Sequence, residues 1–338
     1  MKALVTGATG FVGTNLVRRL IEQGNSARCL VRRSSKTAPL KRMGVELAEG
    51  NVKNYESVLE AVRGMDHVYH CAAVVGMGIA PRSEYYAVNA EGTKNVVRAC
   101  EAAGVKRLVH ISTQSVTFDF TEKRNADENE PFPLRYKDPY SESKAWGEKA
   151  VTEAGKTGNL QTVAIRPTLV WGPGDKLVLP VMAKLASRNQ LFLINKGQVE
   201  MSTSHVENVC ECMLLAAQRE NVSGEAFLVT DDERITAREF AEKMADAAGF
   251  EKPKKSIPYG LAFAYGTLVE KFHALPWVNT PPVMSRYAVA LSGLDLSFNC
   301  EKARRMLGYR PVVSISEGMR RLAHWLEEIG GIESLLRS

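Results

Sequence analysis

Through its first half the chain alternates short apolar runs with longer amphipathic segments. Ala3 to Val5 ends in a glycine-rich turn. Val12, Leu16, Val17, Leu20 and Ile21 then recur at helical spacing, with Gly24 as a stop. The same pattern predicts strands over 27–32, 45–48, 68–73, 107–112 and 162–165. It predicts helices over 55–62, 83–103 and 140–157, the second closed by Gly104. Strands that are apolar throughout and alternate with helices form a parallel sheet covered on both faces. The expected fold is therefore α/β, a Rossmann-type doubly wound sheet.

Past Trp171-Gly172-Pro173-Gly174 the elements shorten. Helices are predicted over 177–185, 205–219 and 236–248, with a strand over 225–229. This suggests a nucleotide-binding part over 1–172, to which 203–230 returns. A smaller, mostly helical substrate-binding part would take 173–202 and 231–338. Lys252, Lys254 and Lys255 precede an apolar stretch containing Ile257, Leu261, Phe263, Tyr265, Leu268, Val269, Phe272, Leu275, Trp277 and Val278. It is too short to span a bilayer. A core helix, a lid over a greasy substrate, and a peripheral membrane contact through 252–278 all remain open. Leu177, Met182, Leu185, Phe192, Met201 and the 257–278 aromatics are candidate pocket residues.

Charge changes the picture little. Over 338 residues, 44 Lys and Arg against 38 Asp and Glu leave +6, scattered rather than clustered. That suits an anionic ligand and gives no argument for nucleic acid. Cysteines at 29, 71, 100, 210, 212 and 300 have neither disulfide-framework nor zinc-site spacing, so reduced thiols and no metal are expected. The chain opens on a strand rather than a signal pattern, and a cytoplasmic protein is expected, with membrane association left open.

Candidate chemistry begins at Thr6-Gly7-Ala8-Thr9-Gly10-Phe11-Val12-Gly13, of the form TGxxGxxG. Between a first strand and a first helix, such glycines bring backbone N–H groups and a helix N-terminus to a pyrophosphate. NAD-binding folds place an acid at the end of the second strand for the ribose hydroxyls. Here Val31 is followed by Arg32 and Arg33. A guanidinium suits a 2′-phosphate, so NADP is expected, with Arg32 as main contact and NAD the alternative. Asn51-Val52, after the third strand, offers an acceptor for the adenine amino group or else a plain turn. Ala72 and Ala73, in His70-Cys71-Ala72-Ala73, leave room for a ribose or simply pack closely.

Tyr140-Ser141-Glu142-Ser143-Lys144 reads YxxxK on a helix that Asp138 caps and Pro139 opens. The spacing puts phenol and ammonium on one face. A free phenol titrates near pH 10, and a neighbouring ammonium together with an oxidised nicotinamide is expected to lower that value and make Tyr140 an acid/base. Lys144 also suits the nicotinamide ribose hydroxyls. The fifth strand ends in Ser112 and Thr113, where ligands sit in such sheets. Either hydroxyl is a candidate to orient a substrate oxygen.

These residues resemble the extended short-chain dehydrogenase/reductase superfamily along nearly the whole chain. TGATGFVG, HCAA, VNAEGTKN, HISTQSV, YSESK and IRPTLVWGPGD occur in the family's order. The resemblance implies that Thr113 fills the catalytic Ser/Thr slot beside Ser112, with Tyr140 and Lys144 as partners and Asn89 near the active site. Pro167 and Thr168 would face the nicotinamide carboxamide. STQSVTF, SHVENVCECMLLAA, GEAFLVTDDERIT and FNCEKARRMLGYRP are most similar to the 3β-hydroxysteroid dehydrogenase group. That group includes sterol-4α-carboxylate 3-dehydrogenases and bacterial 2-alkyl-3-oxoalkanoate reductases. It implies a secondary alcohol–ketone interconversion on a small hydrophobic substrate, either sterol-like or a long-chain β-keto acid. Superfamily analogy adds a homodimer. Dihydroflavonol-type reductases, nucleotide-sugar epimerases and a nonenzymatic NADP sensor are the rival readings.

Overall fold

A computed structural model describes residues 1–76, 80–158, 160–273 and 284–337. Its centre is a seven-stranded, wholly parallel sheet. Five strands come first in the chain: β1 (Lys2–Thr6), β2 (Ser26–Val31), β3 (Glu46–Glu49), β4 (His67–His70) and β5 (Arg107–Ile111). Gln161–Pro167 and Glu225–Val229 complete it. The spatial order runs Glu225–Val229, Gln161–Pro167, β5, β4, β1, β2, β3. The chain winds outward from β1 in one direction and then, after β3, in the other. The loops leaving β1 and β4 therefore meet at the carboxyl edge, the usual place for a ligand.

Both faces of the sheet are covered. On one, Leu16, Val17 and Leu20 of the helix Phe11–Glu22 pack with Val209 and Met213 of the helix Val206–Gln218. On the other, Val58, Val62, Val96, Cys100 and Val151 pack on Leu4, Val68 and Leu108. Each fully buried aliphatic side chain contributes roughly 1.5–3 kcal/mol. Two such layers fix the carboxyl edge as a rigid platform.

The helix expected over 83–103 is not continuous. A short turn, Arg82–Tyr85, leads into a π-helical segment, Tyr86–Glu91, before a regular helix, Gly92–Ala103, closed by Gly104 in a left-handed conformation (φ +68°). Such wide turns insert one extra residue and re-aim side chains, often at functional sites. The neighbouring helix Pro139–Thr157 presses into it. A Cβ on Gly147 would lie 2.3 Å from the Asn89 carbonyl oxygen.

The C-terminal part carries more strand than expected. A second sheet runs Ile235–Thr236, Glu200–Met201, Leu296–Phe298, Lys123–Ala126. The last of these reaches over from the first half of the chain. Its strands are two to four residues long, too short for an alternating pattern to register.

Helix Tyr259–His273 buries Ala262 and Gly266. It turns Leu261 (66% exposed), Tyr265 (56%), Leu268 (66%) and Phe272 (57%) outward along one stripe. An ordinary core helix does the opposite. Leu275, Trp277 and Val278 lie outside the described residues. No described helix is long and apolar enough to cross a membrane. All six cysteines are free thiols, and no cluster that could hold a metal occurs among the described residues.

Candidate active site

The glycine-rich turn is dictated by backbone contact. Gly7 has φ +67°, and a Cβ there would stand 2.5 Å from the Ala72 nitrogen. A Cβ on Gly13 would stand 2.2 Å from the Gly7 oxygen. Larger residues would force the turn off β4 and off itself. Gly10 then leads into the helix Phe11–Glu22, whose first turn has neither a capping side chain nor an acid. A helix N-terminus presented this way fits a pyrophosphate. The loop after Trp171 closes over the turn. Asn15 Nδ2 donates to the Pro173 carbonyl at 3.4 Å, and Lys176 Nζ donates to the Thr9 carbonyl at 3.0 Å. Lys176 thus sets a positive charge on the rim. The sequence reading passed over it, since one lysine after a Gly-Pro-Gly-Asp turn carries no signal.

Thr6 pairs with Leu30 across β1 and β2, so Arg32 and Arg33 emerge beside the turn, both exposed. Arg32 N–H donates to Ser35 Oγ at 3.1 Å and Ser35 N–H to the Arg32 carbonyl at 2.8 Å, a local turn. Asn51 Oδ1 accepts from Lys53 N–H at 3.1 Å, the geometry of a turn asparagine. Val52 is buried, and a Cβ on Gly92 would come within 2.9 Å of it. Its side chain therefore belongs to the core.

A buried chain of hydrogen bonds ties this cradle to the π turn. Ala72 N–H donates to Thr6 Oγ1 at 3.2 Å, which lies 2.7 Å from His70 Nδ1. His70 Nε2 lies 2.9 Å from Thr93 Oγ1, and that hydroxyl donates to the Asn89 carbonyl at 2.7 Å. Thr93 spends its only proton on the carbonyl, so His70 carries its proton on Nε2 and accepts from Thr6 at Nδ1. Burial first, and Lys144 second, push its pKa down to about 3. Asn89 pins two further elements. It accepts from Val74 N–H at 2.8 Å and donates to Ser143 Oγ at 3.0 Å.

Asp138 accepts from Ser141 N–H at 2.7 Å and Pro139 takes the first turn, so the helix Pro139–Thr157 starts where the motif requires. Tyr140 is half-buried. Burial pushes its phenol up to about 12, and a hydrogen bond with the Thr113 hydroxyl opposes the shift. Lys144 is buried, and its Nζ donates to the Ile111 carbonyl and lies 3.5 Å from His110 Nε2. Burial lowers its pKa to about 8, with Glu148 acting the other way. The ammonium expected to acidify the phenol is directed at the end of β5 instead. The phenol is therefore governed by burial and by Thr113.

Thr113 and Ser112 point to different partners. Thr113 meets Tyr140 and caps the turn Gln114–Thr117, accepting from Ser115 N–H at 3.2 Å. Ser112 donates to the Glu148 carboxylate. Beyond Thr113, Tyr287 donates to Ser115 Oγ at 2.7 Å. Tyr287 and Phe118 meet edge to face at 5.8 Å, and Phe120 stacks on Phe118 at 5.0 Å. Tyr140 packs against this cluster. Tyr140 thus abuts an apolar cluster that includes Phe118 and Tyr287, on which Phe120 also packs. Met182 and Met201, candidates from the sequence, pack with Trp171 and Phe240 in another cluster. Pro167 ends its strand buried. Thr168 N–H donates to Ser204 Oγ at 3.0 Å, and its hydroxyl lies 2.7 Å from the same oxygen.

A glycine cradle at the switch of a parallel sheet, with a Tyr-Lys helix across from it, defines an NAD(P)-dependent oxidoreductase of the extended short-chain type. Residues 4–259 match the 3-beta hydroxysteroid dehydrogenase/isomerase family, and the chain belongs to it. It is 35% identical over 329 residues to the 2-alkyl-3-oxoalkanoate reductase of Stenotrophomonas maltophilia, covering 95% of this chain and 98% of that one. It is 31% identical to the decarboxylating sterol-4-alpha-carboxylate 3-dehydrogenase of Mus musculus, over 95% and 89% of the two chains. Among solved structures, gox2253 superposes with a TM-score of 0.80 at 25% identity, over 97% and 98%. The UDP-glucose 4-epimerase of Thermus thermophilus, solved with NAD, gives 0.73 at 25% identity, over 96% and 98%.

Proposed function

We propose that this chain interconverts a secondary alcohol and a ketone on a hydrophobic substrate, sterol-like or a long-chain β-keto acid, with NADP as the preferred cofactor. The observation that carries the reading is the half-buried Tyr140 phenol beside the Thr113 hydroxyl, packed on the apolar cluster that includes Phe118 and Tyr287. The glycine turn from Thr6 to Gly13, the edge residues Ala72 and Ala73, and Pro167 and Thr168 would hold the dinucleotide. Arg32, with Arg33 next to it, would hold a 2′-phosphate, and Lys144 the ribose hydroxyls. When bound, the nicotinamide supplies or accepts the hydride. In ketone reduction Tyr140 Oη gives its proton to the carbonyl oxygen, and Thr113 Oγ1 hydrogen-bonds the same oxygen to fix its position. A phenol held near 12 is protonated at neutral pH, the form a proton donor needs. In the oxidative direction the same atom takes the hydroxyl proton. The apolar cluster holds the rest of the substrate and keeps water from the transferred proton.

The test is NADPH consumption against a panel of ketones. Steady loss of absorbance is expected with 2-alkyl-3-oxo acids or 3-ketosteroids. No net change, with isomerised nucleotide sugars instead, would replace this reading by an epimerase. Thr113→Ala should lower kcat roughly a hundredfold, the usual size of one lost transition-state hydrogen bond. Ser112→Ala should keep most of kcat while costing thermal stability, because its hydroxyl serves Glu148. Equal losses of kcat in both variants would contradict the assignment.

A further inference from the structure

We propose that Lys176 is a ligand of the dinucleotide's diphosphate, carried to the glycine cradle by the loop that follows Trp171; the functional reading above enters only in that a dinucleotide binds there. Two anchors leave that loop little freedom. Upstream, Leu169–Trp171 pairs with Thr203–His205, and the buried Trp171 indole donates from Nε1 to Asp231 Oδ2 at 2.8 Å. Downstream, Asp175 is 2% exposed. Its carboxyl oxygens accept from the N–H groups of Leu177 at 2.7 Å, Val178 at 3.1 Å and Leu179 at 2.9 Å, where the helix Val178–Ser187 starts. Its own N–H donates to the Gly172 carbonyl at 3.1 Å. Between the anchors the loop lies on the first turn of Phe11–Glu22. Arg18 Nη1 donates to Asn15 Oδ1 at 3.2 Å, and the amide nitrogen of Asn15 is given to the Phe11 and Pro173 carbonyls. A Cβ on Gly174 would stand 3.6 Å from the Phe11 ring. Lys176 follows Asp175 directly, so its backbone is fixed beside the cradle.

Packing does not explain a charge at that place. Lys176 is exposed, and among the described residues its ammonium meets a neutral acceptor, the Thr9 carbonyl at 3.0 Å, and no carboxylate. Of the cations on Phe11–Glu22 itself, Arg19 is paired with Glu211 at 2.6 Å and Arg18 holds Asn15. Cations are favourable near the C-terminus of a helix and anions near its N-terminus. Lys176 stands at the N-terminal end of Phe11–Glu22, whose first turn has no acid and no capping side chain. Its charge therefore adds to a positive potential already present, which is unfavourable alone and favourable once an anion arrives. Thr9 lies between Gly7 and Gly10, so the ammonium is already at the turn that would hold the diphosphate. Binding gives it an ionised oxygen in place of a neutral carbonyl, the stronger kind of partner.

Two probes separate the diphosphate from the 2′-phosphate. ADP-ribose carries the first and lacks the second, and adenosine 2′-phosphate does the reverse. The experiment measures the dissociation constants of both, and of NADPH, by titration calorimetry on the full chain at low and high salt. It compares the parent with Lys176→Gln and Lys176→Arg, both at an exposed position where the fold is retained; thermal midpoints of the unliganded proteins confirm this. Lys176→Gln should weaken ADP-ribose and NADPH alike, roughly tenfold, the loss of one screened hydrogen bond between charged groups. It should leave adenosine 2′-phosphate unchanged, and Lys176→Arg should restore most of the binding. Salt should weaken ADP-ribose binding to the parent, and Lys176→Gln should flatten that dependence. A lysine that merely ties the loop to Thr9 would leave the salt dependence as it is. The proposal is overturned if parent and Lys176→Gln bind ADP-ribose equally well, if the salt dependence does not move, if the loss is confined to adenosine 2′-phosphate, or if the parent binds no ADP-ribose. No turnover enters these readings, so a chain that binds ADP-ribose and reduces no ketone defeats the functional reading alone.

Discussion

Tyr140→Phe should slow ketone reduction about a thousandfold, within the range that positioned acid–base groups supply. The dissociation constant for NADPH should stay near its parent value. The substitution removes one oxygen and keeps the ring, so the packing against the cluster that includes Phe118 and Tyr287 survives. What is lost is the hydroxyl that meets Thr113 and gives a proton to the substrate oxygen. Stopped-flow hydride transfer and fluorescence titration of the same preparation separate the two quantities. Activity within a few-fold of the parent would mean that another group is the acid.

Arg32→Asp should reverse the nucleotide preference. Arg32 leaves β2 beside the glycine turn, exposed and carried by a turn closed through Ser35. Hydrogen bonds between charged groups are worth about 1.5–3 kcal/mol each, so kcat/KM with NADPH should fall roughly ten- to a hundredfold. An aspartate also repels a 2′-phosphate and accepts from free ribose hydroxyls, so kcat/KM with NADH should rise. High salt should shrink the parent's preference for NADPH, since an exposed arginine is screened. Unchanged discrimination in Arg32→Asp would show that another group reads the 2′-position.

The cradle was legible in the sequence because backbone contact leaves no freedom there. Gly7 and Gly13 are glycines because a Cβ would strike Ala72 or the Gly7 carbonyl. That constraint shows directly as a glycine pattern between a strand and a helix. The Tyr-Lys pair was legible for a similar reason, since four residues on a capped helix admit one relative placement. Three features were not. Ser112 and Thr113 are neighbours in sequence, yet the end of β5 sends one to Glu148 and the other to Tyr140, and only the fold decides which. The π turn that carries Asn89 adds one residue within a run of 21, too small a change of phase to alter the hydrophobic period. The direction of the phenol's shift depends on where the Lys144 side chain goes. Its ammonium is taken by the Ile111 carbonyl and His110, a tertiary contact with no trace in local spacing.

The stripe on Tyr259–His273 illustrates the same limit. Apolar residues at helical spacing predict a helix, and it forms. Periodicity alone does not say which way the apolar side faces. Here Leu261, Tyr265, Leu268 and Phe272 face outward, while Ala262 is buried and Gly266 allows the close approach of Ser285 and Arg286. The short strands of the second sheet were hidden by length. Leu296–Phe298 is set by pairing with Lys123–Ala126, more than 150 residues away in sequence, rather than by its own pattern.

The most direct measurement is a crystal structure of the ternary complex with NADP and an unreactive secondary alcohol. The account predicts the ligand oxygen within hydrogen-bond reach, about 2.6–3.2 Å, of both Tyr140 Oη and Thr113 Oγ1, with Ser112 still on Glu148. A complex in which the alcohol oxygen rests on Ser112 or on water, while the Tyr140 oxygen turns away to bulk solvent, would contradict it.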